Sequence, residues 1–202
     1  INVSCEACHG PGSAHIDWVG RKKEGRAYTE KEMGLAVQFK ESKPVTWMMN
    51  PTTLQPERSH PKEHDRLIEA CARCHSHRRL VTGDFLHGQA FLDTHKPAVL
   101  EERLYHHDGQ IKEEVYVYGS FVQSKMYQQG VTCKDCHDMH TASLHAPGNA
   151  LCLRCHNGGV YNNPAHHHHQ PESPGAQCVE CHMPRSVVSI KATMRDHSIS
   201  IP

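Results

Sequence analysis

One pentapeptide pattern, Cys-x-x-Cys-His, constrains this chain more than anything else in it. It stands at Cys5/Cys8/His9, Cys71/Cys74/His75, Cys133/Cys136/His137, Cys152/Cys155/His156 and Cys178/Cys181/His182, five times in 202 residues. All ten cysteines belong to these motifs. At this cysteine and histidine content, chance would supply roughly 0.05 such motifs. Zinc sites take cysteine pairs two at a time and need no histidine after every second cysteine, and a redox dithiol stands once in a βαβ setting. What fits is the attachment signature of c-type haem: two thiols add across the vinyl groups, and the adjacent imidazole takes one face of the iron. The expectation is five covalent haems c, with Cys5, Cys8, Cys71, Cys74, Cys133, Cys136, Cys152, Cys155, Cys178 and Cys181 as anchors and His9, His75, His137, His156 and His182 as proximal ligands.

Five macrocycles in 202 residues leave about 40 residues for each. With aromatics at 6%, the protein core is expected to be thin, and the chain to fold around its haems and not without them. The expected fold class is therefore mainly α with long irregular loops, a multihaem cytochrome c fold wrapped around covalent haems, with little or no sheet. No apolar run is long enough to span a bilayer. Basic and acidic residues balance at 22 each, which gives no case for nucleic acid. Each haem adds two propionates, so the oxidised holoprotein is expected to be acidic, with Arg21, Lys22, Lys23, Arg78, Arg79 and Arg154 as possible propionate partners.

Covalent haem is attached outside the cytoplasm, so the expected localisation is periplasmic or extracellular. The first residues, Ile1 to Ser4, run straight into a motif with no basic or apolar leader, which is the pattern of a processed or incomplete chain.

The motifs divide the chain unevenly. Residues 1–130 read as a two-haem part with long haem-free connections. Residues 131–202 read as a compact three-haem part whose motifs begin 19 and 26 residues apart, and the two parts as one continuous unit. Predicted helices run over Glu30–Phe39, from a Ser59 cap into the second motif, over Thr94–Leu104, and over Glu113–Gln129 closed by Gly130, with a turn at His106–Gly109.

Of twenty histidines five lie in the motifs, and fifteen remain for the opposite faces of the irons. Distal candidates are His15 after the Gly10-Pro11-Gly12 turn, His87 for the second motif, and His140 for the iron of His156. To these are added His166, His167 or His169 from the histidine run, and His197 near the end, with Asp196 or Ser198 as its supports. His60, His64 and His77 read as surface residues; His95, His106 and His107 are weaker candidates for the second motif.

Several stretches carry a resemblance: Cys8-His9-Gly10-Pro11-Gly12-Ser13-Ala14-His15, Tyr118–Phe121 through Ser124-Lys125-Met126-Tyr127, Gly130–Cys133, Cys136–His140, Cys181-His182-Met183-Pro184 and Arg195-Asp196-His197-Ser198. Together they resemble the multihaem cytochromes c related to the tetrahaem cytochrome of ammonia oxidation and to pentahaem nitrite reductases, in the group often fused to tetratricopeptide repeats. The fifteen non-motif histidines and the close spacing of the last three motifs point to single-electron transfer between redox proteins, and the sequence permits further copies of the chain to stack in a filament or larger multihaem assembly. The alternative is a reductase or oxidoreductase of a small nitrogen or sulfur compound at one open haem, the first or second. No CxxCK is present, so the lysine-ligated catalytic haem of the nitrite reductases has no counterpart. No catalytic residue is assigned.

Overall fold

A computed structural model describes residues 3–28, 33–83, 86–190 and 192–202. Its first helix, α1 (Cys5–His9), is one turn of CxxCH stopped by Gly10 at φ 76°, where glycine meets no Cβ penalty. After the Pro11-Gly12 turn, α2 (Ser13–Lys23) follows, with no buried residue and three basic residues in its last turn. Strands β1 (Trp47–Met49) and β2 (Pro56–Arg58) then form an antiparallel hairpin.

Helix α3 (Arg66–His75) carries the second motif and buries Leu67, Ile68 and Ala72. The helix predicted from Ser59 starts only at Arg66. Asp65 stands at the N-cap position, but its carboxylate is engaged by the Tyr127 hydroxyl at 3.0 Å and by Lys62.

The predicted helix Thr94–Leu104 does not form. Instead β3 (Arg78–Leu80), α4 (Phe91–Thr94) and β4 (His95–Pro97) make a second antiparallel hairpin, β3 against β4. Pro97 is the physical reason: it lacks an amide hydrogen and holds the residue before it in extended conformation. The turn at His106–Gly109 is present, with the Gly109 N–H donating to the His106 carbonyl.

The long helix over Glu113–Gln129 is also replaced, by α5 (Tyr118–Phe121) and α6 (Lys125–Gln128). Tyr116 takes a positive φ of 60°, and Ser124 is extended so that its hydroxyl accepts from the Tyr127 N–H as a cap. Of the helix expected over Glu30–Phe39, residues 30–32 lie outside the described residues, and Met33 to Phe39 form a turn and extended chain that buries Val37.

The last third is built of single turns: α7 (Cys133–Cys136), α8 (Asn149–Cys152), α9 (Gly158–Tyr161), α10 (Pro164–His167), a 3₁₀ turn at Pro174–Ala176, and α11 (Cys178–His182). A third hairpin, β5 (Arg185–Ser189) with β6 (Ala192–Arg195), closes the chain. The expectation of a mainly α chain with little or no sheet is met only loosely: helix stands at 32%, and among the described residues short strands form three two-stranded sheets. The irregular character is as expected.

One cluster of buried residues joins the middle of the chain to its end. Leu104, Tyr105, Ile111 and Val115 pack with Val188 of β5, and Ala192 and Met194 of β6 lean on them. Asp196, 0% exposed, adds a polar tie by accepting the Ile111 N–H at 2.8 Å. No helix among the described residues is long and apolar enough to cross a membrane.

Candidate haem centres

All ten cysteines are free thiols; four of the pairs lie within a helix, and in the fourth motif Cys152 ends α8 while Cys155 stands in the turn that follows. The thiols approach one another between motifs in chain order. Cys8 lies within electrostatic reach of Cys71 and Cys74, and its pKa is raised by burial and by those thiols. Cys133 beside Cys71, together with burial, pushes the Cys71 thiol upward. Cys136 feels Cys155, and burial together with the neighbouring Cys178 thiol pushes the Cys152 thiol up to about 12. Chain order is therefore also spatial order: first motif beside second, second beside third, third beside fourth, fourth beside fifth.

The imidazoles are oriented by backbone carbonyls. His9 Nδ1 lies 3.0 Å from the Val37 carbonyl oxygen, and the Val37 N–H returns a bond to the His9 carbonyl at 3.1 Å. His15 Nδ1 is 2.6 Å from the Met33 carbonyl. At the other end of the chain, His182 Nδ1 meets the Ser200 carbonyl at 2.8 Å and His197 Nδ1 the Arg195 carbonyl at 2.9 Å. A carbonyl accepts only from N–H, so each contact places the proton on Nδ1 and leaves Nε2 with its lone pair, the form a metal ligand needs. His145 is wired the opposite way, with Nε2 at 2.8 Å from the Lys134 carbonyl.

Burial, the first cause in each case, lowers the pKa of His137, His156 and His197 and favours the neutral ring. Neighbouring imidazoles act in the same direction: His197, His145 and His75 on His137, His182 on His156, and His75 on His197. His197 therefore sits among the second and third motif histidines. Its order comes from the chain around it, since its N–H donates to Ser120 Oγ at 3.3 Å. The ring's hydrogen-bond partner is the Arg195 carbonyl, while Asp196 accepts from the Ile111 and Ser198 N–H groups and acts on His197 by its charge.

The histidine run spans a helix end. His166 and His167 lie in α10, and His168 is left-handed at its C-cap. The His166 ring stands 6.1 Å from that of His182, nearly parallel at 9°, with Tyr161 edge-on to both His166 and His156. His167 Nδ1 accepts the His169 N–H at 3.2 Å, and those two rings are 6.4 Å apart. His140 is exposed, its N–H held by Asp138 at 2.8 Å, while the groups beside His156 are Tyr161 and His182. His87 lines a small cavity with Cys8 on one side and Glu69 and Ala70 of α3 on the other, and packs on Gly10. It thus lies between the first and second motifs.

Sequence reasoning missed the carbonyl clamps. They join residues 28 and 18 positions apart at the N-terminal end, and no periodicity signals them. Of the possible propionate partners, Arg21 pairs with Asp17 at 2.8 Å and Arg154 donates to the Asp135 carbonyl at 2.8 Å.

The donor set fits haem c: paired free thiols with an imidazole directly after each pair, and rings held with Nε2 available. The surface fits as well. Its accessible area is 13511 Å², against about 9,600 Å² for a globular protein of 22.8 kDa. Leu80, Val81, Leu86, Val99, Leu100 and Val187 are among the large apolar side chains on that surface, the lining a macrocycle would cover.

Residues 125–160, which contain the third and fourth motifs, match a family described as Doubled CXXCH motif. No curated protein matches the chain, and no solved structure does. The doubled motif supports a c-type cytochrome that carries electrons on covalently attached haem.

Proposed function

We propose that the chain carries five haems c, one on each CxxCH, most of them closed by a second histidine, and that it relays single electrons between redox partners outside the cytoplasm. The observation that carries this reading is the serial neighbourhood of the thiols, Cys8 within electrostatic reach of Cys71, Cys71 of Cys133, Cys136 of Cys155 and Cys152 of Cys178, which supports one uninterrupted line of centres. Haem supplies reversible one-electron chemistry at iron; the protein fixes its ligands, spacing and potential.

The chain's own residues hold the ligands. His9, His15, His182 and His197 are locked by carbonyls with Nε2 presented. Two imidazoles bound at about 2.0 Å on opposite sides of one metal have ring centres about 6 Å apart. The 6.1 Å between His166 and His182 supports His166 as the sixth ligand of the fifth motif. The resemblance to cytochromes related to ammonia oxidation and nitrite reduction belongs to this proposal, as does the two-part division at residue 130. Docking onto other redox proteins or end to end in a filament would use the first and fifth motifs, which end the line.

Intact mass spectrometry of protein matured in a periplasm tests the count. Five haem increments per chain are expected; a mass with only the two haems of residues 125–160 would overturn the five-centre relay.

A further inference from the structure

Apart from the ten thiols and the oriented imidazoles, one cluster of donors among the described residues converges where no motif lies. Glu41, His60 and Glu63 each offer one ligand atom, all within 4.8 Å of one another. Glu41 opens the irregular connection, His60 follows β2 by two residues, and Glu63 precedes α3 by three.

Two of these atoms are buried without a hydrogen bond. The Glu41 side chain is only 5% exposed; its Oε1 accepts from Arg58, while Oε2 has no hydrogen-bond partner among the described residues, and neither has His60 Nε2. They face each other at 3.4 Å. Two atoms bound at about 2.1 Å to a tetrahedral ion stand about 3.4 Å apart. A buried carboxylate oxygen and a buried imidazole nitrogen carry a desolvation cost that a shared cation would offset.

The third donor is pre-set. Ser42 donates to both oxygens of Glu63, through its N–H at 2.9 Å and through its hydroxyl, and these bonds fix the carboxyl. His60 Nδ1 lies 3.0 Å from Ser59 Oγ, which fixes the ring with Nε2 toward Glu41. Two carboxylates against one guanidinium leave the cluster with an excess of negative charge.

We propose that Glu41 Oε2, His60 Nε2 and Glu63 bind one divalent cation of the zinc class, with a solvent-facing fourth position on the exposed Glu63 side. An imidazole with two carboxylates suits zinc better than calcium or magnesium, which take oxygen alone. The ion closes the connection between residues 41 and 63 and so fixes the entry to α3, the helix that bears Cys71, Cys74 and His75. This site is independent of how many haems the chain carries.

Zinc alone is the probe. Holoprotein is stripped with a chelator, equilibrated with zinc chloride across a concentration series, and assayed for zinc and iron per chain. Wild type is expected to hold one zinc more than His60→Gln and Glu63→Gln, each of which weakens that site by at least about tenfold. His167→Gln, a control for the exposed histidine run, keeps it. Glu63 is exposed, so an unchanged haem spectrum in Glu63→Gln verifies folding. Equal zinc in wild type and both variants would overturn the site and leave Arg58, Glu41 and His60 as an ion-paired triad; the iron reading reports separately on the haem count.

Discussion

The two ends of the line of motifs use the same device and anchor it differently. At the N-terminal end one short segment, a turn at Met33–Gly34 and the residues after it, offers the Met33 and Val37 carbonyls to His15 and His9. At the C-terminal end the tail offers the Arg195 and Ser200 carbonyls to His197 and His182. The tail is itself bound to protein: Asp196 is tied to Ile111, and Arg195 donates to Val179, Met183 and Glu180 around α11. The Met33–Val37 segment is held by Val37 burial and by the close approach of Gly34 to the Ala14–His15 peptide, beside helices α1 and α2 that bury nothing. A ligand clamp is thus only as firm as the segment that carries its carbonyl, and the C-terminal clamp is set by many protein contacts while the N-terminal one is set by few.

Breaking the firm end should cost most. Asp196→Ala leaves the buried Ile111 N–H unsatisfied and is expected to destabilise the holoprotein by about 3 kcal/mol in denaturant unfolding. A loss under about 0.5 kcal/mol would mean the tail is held by its haem ligand instead. Next comes Gly34→Ala. Gly34 has φ +66°, and a Cβ there would run into the Ala14 carbonyl; about 2 kcal/mol is expected, with altered ligation confined to the His9 and His15 end in the low-spin spectrum. An effect spread over all centres would dissolve the distinction between the ends.

Arg195→Ala removes three hydrogen bonds from a partly exposed guanidinium, for about 1 kcal/mol, and should loosen His182 more than His9. The smallest effect belongs to His145→Gln. With Nε2 committed to the Lys134 carbonyl, His145 is predicted to leave the haem spectrum unchanged, whereas His197→Gln should convert one low-spin centre to high spin. Loss of a low-spin centre in His145→Gln would show that carbonyl wiring does not mark the ligands.

The sequence was most informative where chemistry is local. The five thiol pairs and their histidines are contiguous, so the motifs needed no fold to be read. His166 in the histidine run and His197 near the tail were also visible as candidates, but nothing in the sequence shows that His166 faces His182. Helix prediction failed at Thr94–Leu104 and Glu113–Gln129 because Pro97 and the extended Ser124 divide periodic stretches whose apolar faces meet a hairpin and a thin core instead of a helix partner. The carbonyl clamps were illegible for a related reason: a backbone acceptor has no residue identity, and only the path of the chain brings Val37 to His9 or Ser200 to His182.

The central claim is a line of five centres closed mainly by histidine. Electron paramagnetic resonance of the fully oxidised holoprotein, integrated against chain concentration, tests it most directly. Five ferric centres per chain with low-spin signals dominant are predicted; fewer than five, or high-spin signals at most of them, would contradict the account.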